Sequence, residues 1–411
     1  MGKLILMKSK MNWPLDKNKL LVFFFLILIN SLYAQDLSSF DYNGYAKYLF
    51  SSGKIPRIDD RLNDHLIHLR FNTKWYVTEA ITSALELRFR AFYGRSVEKI
   101  PFYKDLIKTP RDFVHLDKFL WESGKSLGYL EIDRLWLDYY KNNMQITIGR
   151  QRVAWGTAWV WNPTDLFNPL NVLDFDYEER PASDAVRLQY YTGAVSKIDI
   201  TYKPAKDANN QILAGLVSIN KWSYDFNFIG GLRFKRWLAG FSWVGDILNA
   251  GFRGEILISQ APDKPDTNII YQQSGQSSLS SWKKPMLSIS LSGDYTFPNT
   301  FYIHTEILFN NNGKTYNAFL FQEEALQLGM LSAARWSVYQ EFAYEITPLL
   351  RGTLFGIINP NDKSFVIVPS FSYSIITNLD FYLIGLFFEG DPLSEFGEYG
   401  TSVYLRLKYS F

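Results

Sequence analysis

Polar and apolar residues alternate along most of the chain, and no other feature limits its possible folds as strongly. Within residues 64–77, for example, Ile67, Leu69 and Phe71 occupy alternate positions with polar residues between them. Eighteen segments with this alternation can be counted from residue 42 onward. A period of two residues is typical of β-strands with one apolar and one polar face. The chain is therefore predicted to be all-β.

The connections between these segments also alternate, in this case in length. Short connections such as residues 141–143 and 377–378 are rich in Asn, Gly and Pro, whereas residues 95–127, 154–184 and 260–285 form long ones. Short turns at one end and long loops at the other are typical of outer-membrane barrels. An open sheet in lipid would leave unpaired N–H and C=O groups at its edges. We therefore expect a single closed antiparallel transmembrane β-barrel of about 18 strands, with short periplasmic turns and long extracellular loops.

The first 34 residues have the pattern of an export signal. Five lysines precede an apolar run over residues 20–29, and small residues lead to a cleavage site near Ala34. That run is too short to cross about 30 Å of hydrocarbon as a helix. Removing the segment turns the formal net charge of +2 slightly negative, so nucleic acid is not an expected partner. We expect residues 1–34 to be a signal peptide and residues 35–411 to be the barrel.

The C-terminal end supports the same compartment. Residues 402–411 alternate and finish on Phe411, which resembles the strand by which bacterial outer-membrane barrels are recognised for assembly. Aromatic residues make up 17% of the chain, as expected for girdles at two membrane interfaces. Cysteine is absent, which excludes disulfides and lipid attachment at a cysteine. The expected location is the bacterial outer membrane, with its lipid and its barrel-assembly machinery as partners.

If the apolar face of each strand meets lipid, the charged face lines the lumen. Bases crowd the first strands and the last one, which become neighbours when the barrel closes. The predicted lumen-lining bases include Arg70, Lys74, Arg88, Arg90, Arg134, Arg187, Arg406 and Lys408. With Glu306, Glu341 and Glu345 on later strands, a transverse field would guide an anionic solute or a uronate polymer. Alternatively, these charges only keep the lumen hydrated and rigid.

The most distinctive stretch lies within residues 148–204. A Gly-Arg-Gln strand at residues 149–151 leads into Trp155-Gly156, followed by Asn-Pro-Thr-Asp at residues 162–165 and Asn-Pro at residues 168–169. This succession resembles the alginate-export family and related uncharacterised outer-membrane barrels. Asn-Pro also initiates turns whatever the function.

The resemblance implies a constriction and a selectivity wall. Residues 154–184 would fold into the lumen as a loop, whose main residues would be Trp155, Asn162, Pro163, Asp165, Asn168 and Pro169. Arg150, Arg152 and Arg187 would belong to the wall, with Asp165 as an acidic partner.

Aromatic and apolar residues also fall at inward positions. Trp155, Trp159 and Trp161 would offer stacking surfaces to sugar rings, or anchor a strand end at the membrane interface. Ile384 and Leu386 indicate that part of the lumen is dry or covered by a loop.

The predicted function is passage of a solute or polysaccharide, with anions favoured. A surface-binding or capsule-attachment barrel without an open pore stays open as an alternative, and so does a barrel hydrolase. A hydrolase needs a His held beside a Ser or an Asp, and no motif assigns such a partner to His304, which lies two residues from Glu306. Because neither metal-ligand spacing nor a phosphate-binding glycine loop is found, no catalytic residue, metal or cofactor is predicted.

Overall fold

The computed structural model describes residues 39–56, 60–108, 113–168, 176, 179–207, 210–261 and 285–411. The predicted signal peptide and Pro169 lie outside these residues. The chain divides into two units, Met1–Asp41 and Tyr42–Phe411, and the second is a barrel.

Nearly all regular structure in the described residues is β. The strands are β1 (Phe40–Lys54), β2 (Leu62–Tyr76), β3 (Ile81–Gly94), β4 (Asp117–Ser123), β5 (Ser126–Lys141), β6 (Met144–Gln151), β7 (Ser183–Tyr191), β8 (Lys197–Lys203), β9 (Ile212–Lys221), β10 (Tyr224–Arg233), β11 (Arg236–Ile247), β12 (Ala250–Ser259), β13 (Met286–Thr296), β14 (Tyr302–Asn310), β15 (Trp336–Thr347), β16 (Leu350–Ile358), β17 (Phe365–Ile376), β18 (Leu379–Glu389) and β19 (Thr401–Ser410). The short helices are α1 (Arg95–Lys99), α2 (Tyr103–Ile107) and α3 (Gln322–Leu328), and a 3₁₀ turn (Ala318–Phe321) precedes α3. Within the described residues, no helix has the length and apolarity needed to cross a membrane.

The sheet closes on itself. Neighbouring strands pair antiparallel around the barrel, and β19 pairs with β1. The closure extends to the last residue, because Phe411 and Gly44 exchange two backbone hydrogen bonds of 3.0 Å. A Cβ at Gly44 would come within 2.8 Å of the Phe411 ring, so this close approach requires glycine. The predicted closed antiparallel barrel of 18 strands is confirmed, and its closure pairs the first strand of the wall with the last.

Of the nineteen strands in the described residues, β4 does not run along the barrel wall and adds to it only at the rim. Strand β4 pairs with residues 126–131 of β5, whereas β6 pairs with residues 135–141 of β5. It therefore extends the wall only at the rim. The sequence prediction had placed no strand within residues 95–127, because this short hairpin strand lies inside a connection.

The two faces of the wall differ as the alternation requires. In β2, Ile67 and Leu69 point outward and are exposed on the isolated chain, while His68 and Arg70 point inward and are buried. The alternation of inward and outward positions is interrupted once in β5, where a bulge at Asp133 shifts the register between β5 and β3. This bulge brings inward-facing carboxylates onto positions that simple alternation assigns to the outer face.

The depth of an outward-facing residue in the membrane should determine how much stability is lost when arginine replaces it. Phe371 lies in the middle of β17 and Ile375 lies near its end, and both face outward. We expect Phe371→Arg to lower the free energy of unfolding in lipid vesicles by roughly 2–4 kcal/mol and Ile375→Arg by only about 0–1 kcal/mol. Equal losses in denaturant titrations of the two variants would contradict a lipid-facing assignment.

Candidate functional site

The connection between β6 and β7 leaves the wall and crosses the lumen. Within residues 152–168 of this connection, Val153 near the start and Leu166 near the end pack against an apolar inner surface of the wall. This surface is formed by Ala185, Ile212, Ala214, Leu216, Ile229, Leu238 and Leu257. In the middle of residues 152–168, Val160 and Trp161 pack against an apolar surface of β14 to β18 that includes Ile384 and Leu386. We call residues 152–168 the crossing loop.

Two buried wall carboxylates hold the backbone of the crossing loop. Glu255 on β12 accepts hydrogen bonds from the amides of Thr157 (2.5 Å), Ala158 (2.9 Å) and Thr164 (2.9 Å). Glu306 on β14 accepts hydrogen bonds from the amides of residues 159, 160 and 161 at 3.3, 3.2 and 2.5 Å. Both glutamates are 0% exposed. Loop amides that have no partner in the sheet thus donate to carboxylates. Hydrogen bonds to a charged acceptor are stronger than neutral ones.

The Asn-Pro-Thr-Asp sequence forms the turn that reverses the crossing loop. The amide of Asp165 donates to the carbonyl oxygen of Asn162 at 3.0 Å, and Pro163 occupies the second position, where its fixed φ favours such a turn. Beyond the turn, Asn168 accepts a hydrogen bond from the amide of Val153 at 2.9 Å. The motif residues therefore shape the loop and tie its two arms together.

On the side of the lumen formed by β1 to β3, Asp176 lies among basic side chains. Its carboxylate lies 3.3 Å from Lys47 Nζ, 2.7 Å from His68 Nδ1, and 3.3 and 3.7 Å from guanidinium nitrogens of Arg88 and Arg90. Burial alone would raise the pKa of Asp176, but the hydrogen bond with His68 and the charges of Lys47 and Arg88 hold it well below its usual range. The β6–β7 connection thus contacts opposite sides of the barrel.

Several predicted wall arginines are paired with acids. Arg70 lies 2.8 Å from Asp133, and Arg88 lies 3.7 Å from Glu131. The bulge in β5 places both acids inside, and alternation alone had missed them for that reason. Arg70 and Arg134 share Glu86 as a second partner.

The arginines around β6 and β7 do not share Asp165 as the resemblance implied. Arg150 lies 2.8 Å from Asp184, and Arg187 binds Asp199 through both carboxylate oxygens. Asp165 pairs with Arg180 at 2.9 Å instead. Asp165 thus pairs with an arginine of the same β6–β7 connection. Arg150 and Arg187 pair with acids on neighbouring strands of the wall.

The remaining predicted bases contact aromatic rings. The nearest ring centroids are those of Tyr382 for Arg406 (3.8 Å), Tyr45 for Lys408 (4.8 Å) and Tyr76 for Lys74 (5.2 Å). Among the tryptophans, Trp155 is buried and donates to Asp199 at 3.1 Å, whereas Trp159 is exposed.

Arg152 differs from the paired arginines. It is exposed beside the start of the crossing loop, and no acidic side chain of the described residues forms an ion pair with it. Partial burial and the positive charges of Arg180 and Arg134 lower the pKa of Arg152, and the charge of Asp165 offsets this only in part. The Arg134 guanidinium also donates to the carbonyl of Arg180 at 3.4 Å. We call Arg134, Arg152 and Arg180 the arginine cluster.

One contact has the composition of a hydrolase site. Ser292 Oγ lies 3.0 Å from His304 Nε2, and His304 Nδ1 lies 3.7 Å from Glu341. However, Ser292 and His304 are each only 2% exposed, so a solute has no access to the hydroxyl. His304 also lies 3.5 Å from Glu306. We therefore assign this cluster to holding Glu306 in place.

The closed wall, the tight turns at one end and the loop inside the lumen define the fold of outer-membrane porins. It matches the solved structures of Pseudomonas aeruginosa OccK5 (8% identity, 92% of this chain and 99% of that one, TM-score 0.57) and Acinetobacter baumannii OccAB1 (7% identity, 90% and 96%, TM-score 0.55). It also matches Pseudomonas aeruginosa OccK11 (9% identity, 91% and 96%, TM-score 0.54). At identities this low, the structural matches establish the fold alone. The fold supports an outer-membrane location. No family model and no curated protein matches the chain, so the alginate-export likeness stays a resemblance.

Removing Glu306 should release the crossing loop without opening the barrel. In Glu306→Ala, three loop amides lose their acceptor, at a cost of at least roughly 3 kcal/mol in loop seating. We expect faster hydrogen exchange at residues 159–161, measured by mass spectrometry. Glu345→Ala, at an exposed position near the end of β15, is the control and should leave the loop unchanged. Unaltered exchange in Glu306→Ala would contradict the anchoring role.

The seating of the crossing loop should depend on pH through Asp165. Burial raises the pKa of this carboxyl to about 7, and the Arg180 charge only partly offsets the effect. Because the folded loop favours the protonated form, its stability should be highest below the ordinary pKa of about 4 and fall as pH rises to about 7. Loop amides should exchange faster at pH 8 than at pH 5 after correction for intrinsic rates. The difference should shrink in Asp165→Asn, and an equal difference in both proteins would exclude Asp165 as its source.

Proposed function

We propose that the chain is an outer-membrane pore that passes a solute, with anionic solutes favoured. The observation that carries the proposal is the crossing loop, which narrows the lumen while hydrogen bonds and apolar packing hold it at fixed places. A pore needs such a fixed constriction to select among solutes. A small solute is favoured over a polysaccharide, because the loop lies across the path that a polymer would thread.

The preference for anions rests on the arginine cluster. Most wall arginines face a carboxylate within the protein, and such pairs leave little net field for a solute. Arg152 is exposed and lies close enough to Arg134 and Arg180 for their charges to lower its pKa. An anion that passes the crossing loop would therefore meet positive charge at this point.

The route to the membrane is part of the same proposal. Residues 1–34 would direct export and be removed, and the strand that ends in Phe411 would be recognised by the assembly machinery. Outer-membrane lipid would then surround the apolar outer face, on which residues such as Leu69 and Phe371 lie.

The proposal is tested by single-channel conductance of the refolded protein in planar bilayers. We expect a steady anion-preferring current and a permeability ratio of anion to cation that falls about threefold in Arg152→Ala. A unit charge about 6 Å from an ion in water contributes ~0.7 kcal/mol, which corresponds to that factor. Arg95→Ala is the control, because Arg95 is an exposed arginine of α1 that pairs with Asp60 at 3.4 Å and does not belong to the arginine cluster.

Two outcomes would overturn the proposal. A silent wild-type barrel would exclude the open pore and favour a surface-binding barrel. An unchanged permeability ratio in Arg152→Ala, with intact current, would remove the arginine cluster as the source of selectivity.

A further inference from the structure

A cavity of about 320 Å³ lies on the long-loop side of the crossing loop. It lies where the turn of the crossing loop meets α3 and the connection between β18 and β19. Its polar lining residues include Asn162, Asp165, Arg233, Gln322, Ser332 and Glu395. Its volume is at the lower end of the range for small-molecule sites. Its lining residues do not include the three members of the arginine cluster, although they include Asp165, which pairs with Arg180.

The lining side chains carry buried polar atoms that form no hydrogen bond with any of the described residues. These atoms are Nδ2 and Oδ1 of Asn162, Oδ1 of Asp165, Nε of Arg233 and Oε2 of Glu395. Asn162, Asp165 and Glu395 are 3%, 2% and 6% exposed, so bulk water does not serve them. Such atoms are rare in folded proteins, because each one costs about 1–3 kcal/mol. Their concentration around one cavity points to a ligand that completes them.

The chemistry of the lining defines the class of ligand. The unpartnered atoms include donors, on Asn162 and Arg233, and acceptors, on Asn162, Asp165 and Glu395. Hydroxyl groups meet both needs, since each one donates and accepts. Trp161, Phe396 and other lining residues add apolar surface of the kind that packs against ring C–H groups. The lining therefore combines hydroxyl recognition with apolar contact.

The charges around the cavity nearly cancel. Asp165 is already paired with Arg180, which leaves the guanidinium of Arg233 and the carboxyl of Glu395. Burial raises the pKa of Glu395 to about 7, although Ser332 donates a hydrogen bond to it at 2.6 Å. A ligand that carries a carboxylate would be repelled by Asp165 and Glu395, and a cationic ligand would be repelled by Arg233. A neutral ligand avoids both penalties.

We propose that this cavity is a binding site for a neutral, hydroxyl-rich solute the size of a sugar ring. The proposal does not rest on the proposed pore, because the site would bind whether or not the lumen conducts. Arg233, at the end of β10, and Glu395, in the β18–β19 connection, both line the cavity and would contact the ligand. Asn162, from the turn of the crossing loop, supplies one further donor and one further acceptor.

The test is isothermal titration calorimetry on the refolded full barrel in detergent, which needs no conductance. Glucose and maltose are the neutral probes, and glucuronate is the anionic counterpart of glucose. We expect saturable binding of a neutral sugar. Binding should weaken at least roughly tenfold in Arg233→Met, because a hydrogen bond to a charged group is lost. Lys235→Met, two residues along the same hairpin at an exposed position, is the matched control and should bind like wild type.

A second variant locates the site without removing a polar group. Leu326 lines the cavity from α3 but is 70% exposed, so Leu326→Trp should fold and partly fill the space. We expect it to weaken sugar binding, while the heat-modifiable mobility of the folded barrel on gels stays unchanged. Tight binding of sugar in Leu326→Trp and Arg233→Met would place the site elsewhere.

Two further outcomes would overturn the proposal, and a third would support it against the proposed pore. If neither sugar binds, water alone fills the cavity and the site is excluded, even where the same preparation conducts ions. If glucuronate binds more tightly than glucose, the neutral class is wrong. A silent barrel that binds maltose through Arg233 would support this site while removing the proposed pore.

Discussion

The interior of this barrel depends on two buried carboxylates that bind backbone amides. A chain segment that leaves a sheet loses the hydrogen bonds of its neighbours, and inside a crowded lumen water replaces them poorly. Glu255 and Glu306 solve this problem by accepting hydrogen bonds from six amides of the crossing loop. The amides in turn compensate the burial of the carboxylates. The position of the constriction, the shape of the cavity above it and the exposure of Arg152 all follow from this mutual arrangement.

The charges of the lumen are organised by neighbourhood rather than as two opposed walls. The sequence suggested a basic side and an acidic side with a field between them. In the structure, Arg70, Arg150 and Arg187 each pair with an acid on an adjacent strand: Glu86, Asp184 and Asp199, respectively. Of the acids on the later strands, Glu306 binds the crossing loop, whereas Glu341 lies beside His304 and Glu345 is exposed. Local pairing keeps a buried charge stable, and it concentrates the effective field at the few bases left exposed.

Alternation in the sequence was sufficient to predict the wall, because the pleat of a strand converts a period of two directly into two faces. Closure and strand number followed from the rhythm of turns and loops. The site was harder to predict for identifiable reasons. The bulge at Asp133 breaks the period, and nothing in the local sequence marks it. The pairing of Asp165 with Arg180 and the role of Glu306 depend on contacts between segments far apart in the chain, which single-strand patterns do not encode.

The distance along the chain between the crossing loop and its anchors has a consequence for how the protein forms. Thr157 and Glu255 are separated by 98 residues, and Trp161 and Glu306 by 145. Contacts this distant form late, because the intervening chain must first be ordered. The crossing loop therefore cannot reach its final position until β12 and β14 have formed. Until then its amides would form hydrogen bonds with any other acceptor. Seating of the loop becomes a marker of completed assembly: a barrel trapped before closure would present these residues to a protease or a chaperone, whereas a finished one would hide them.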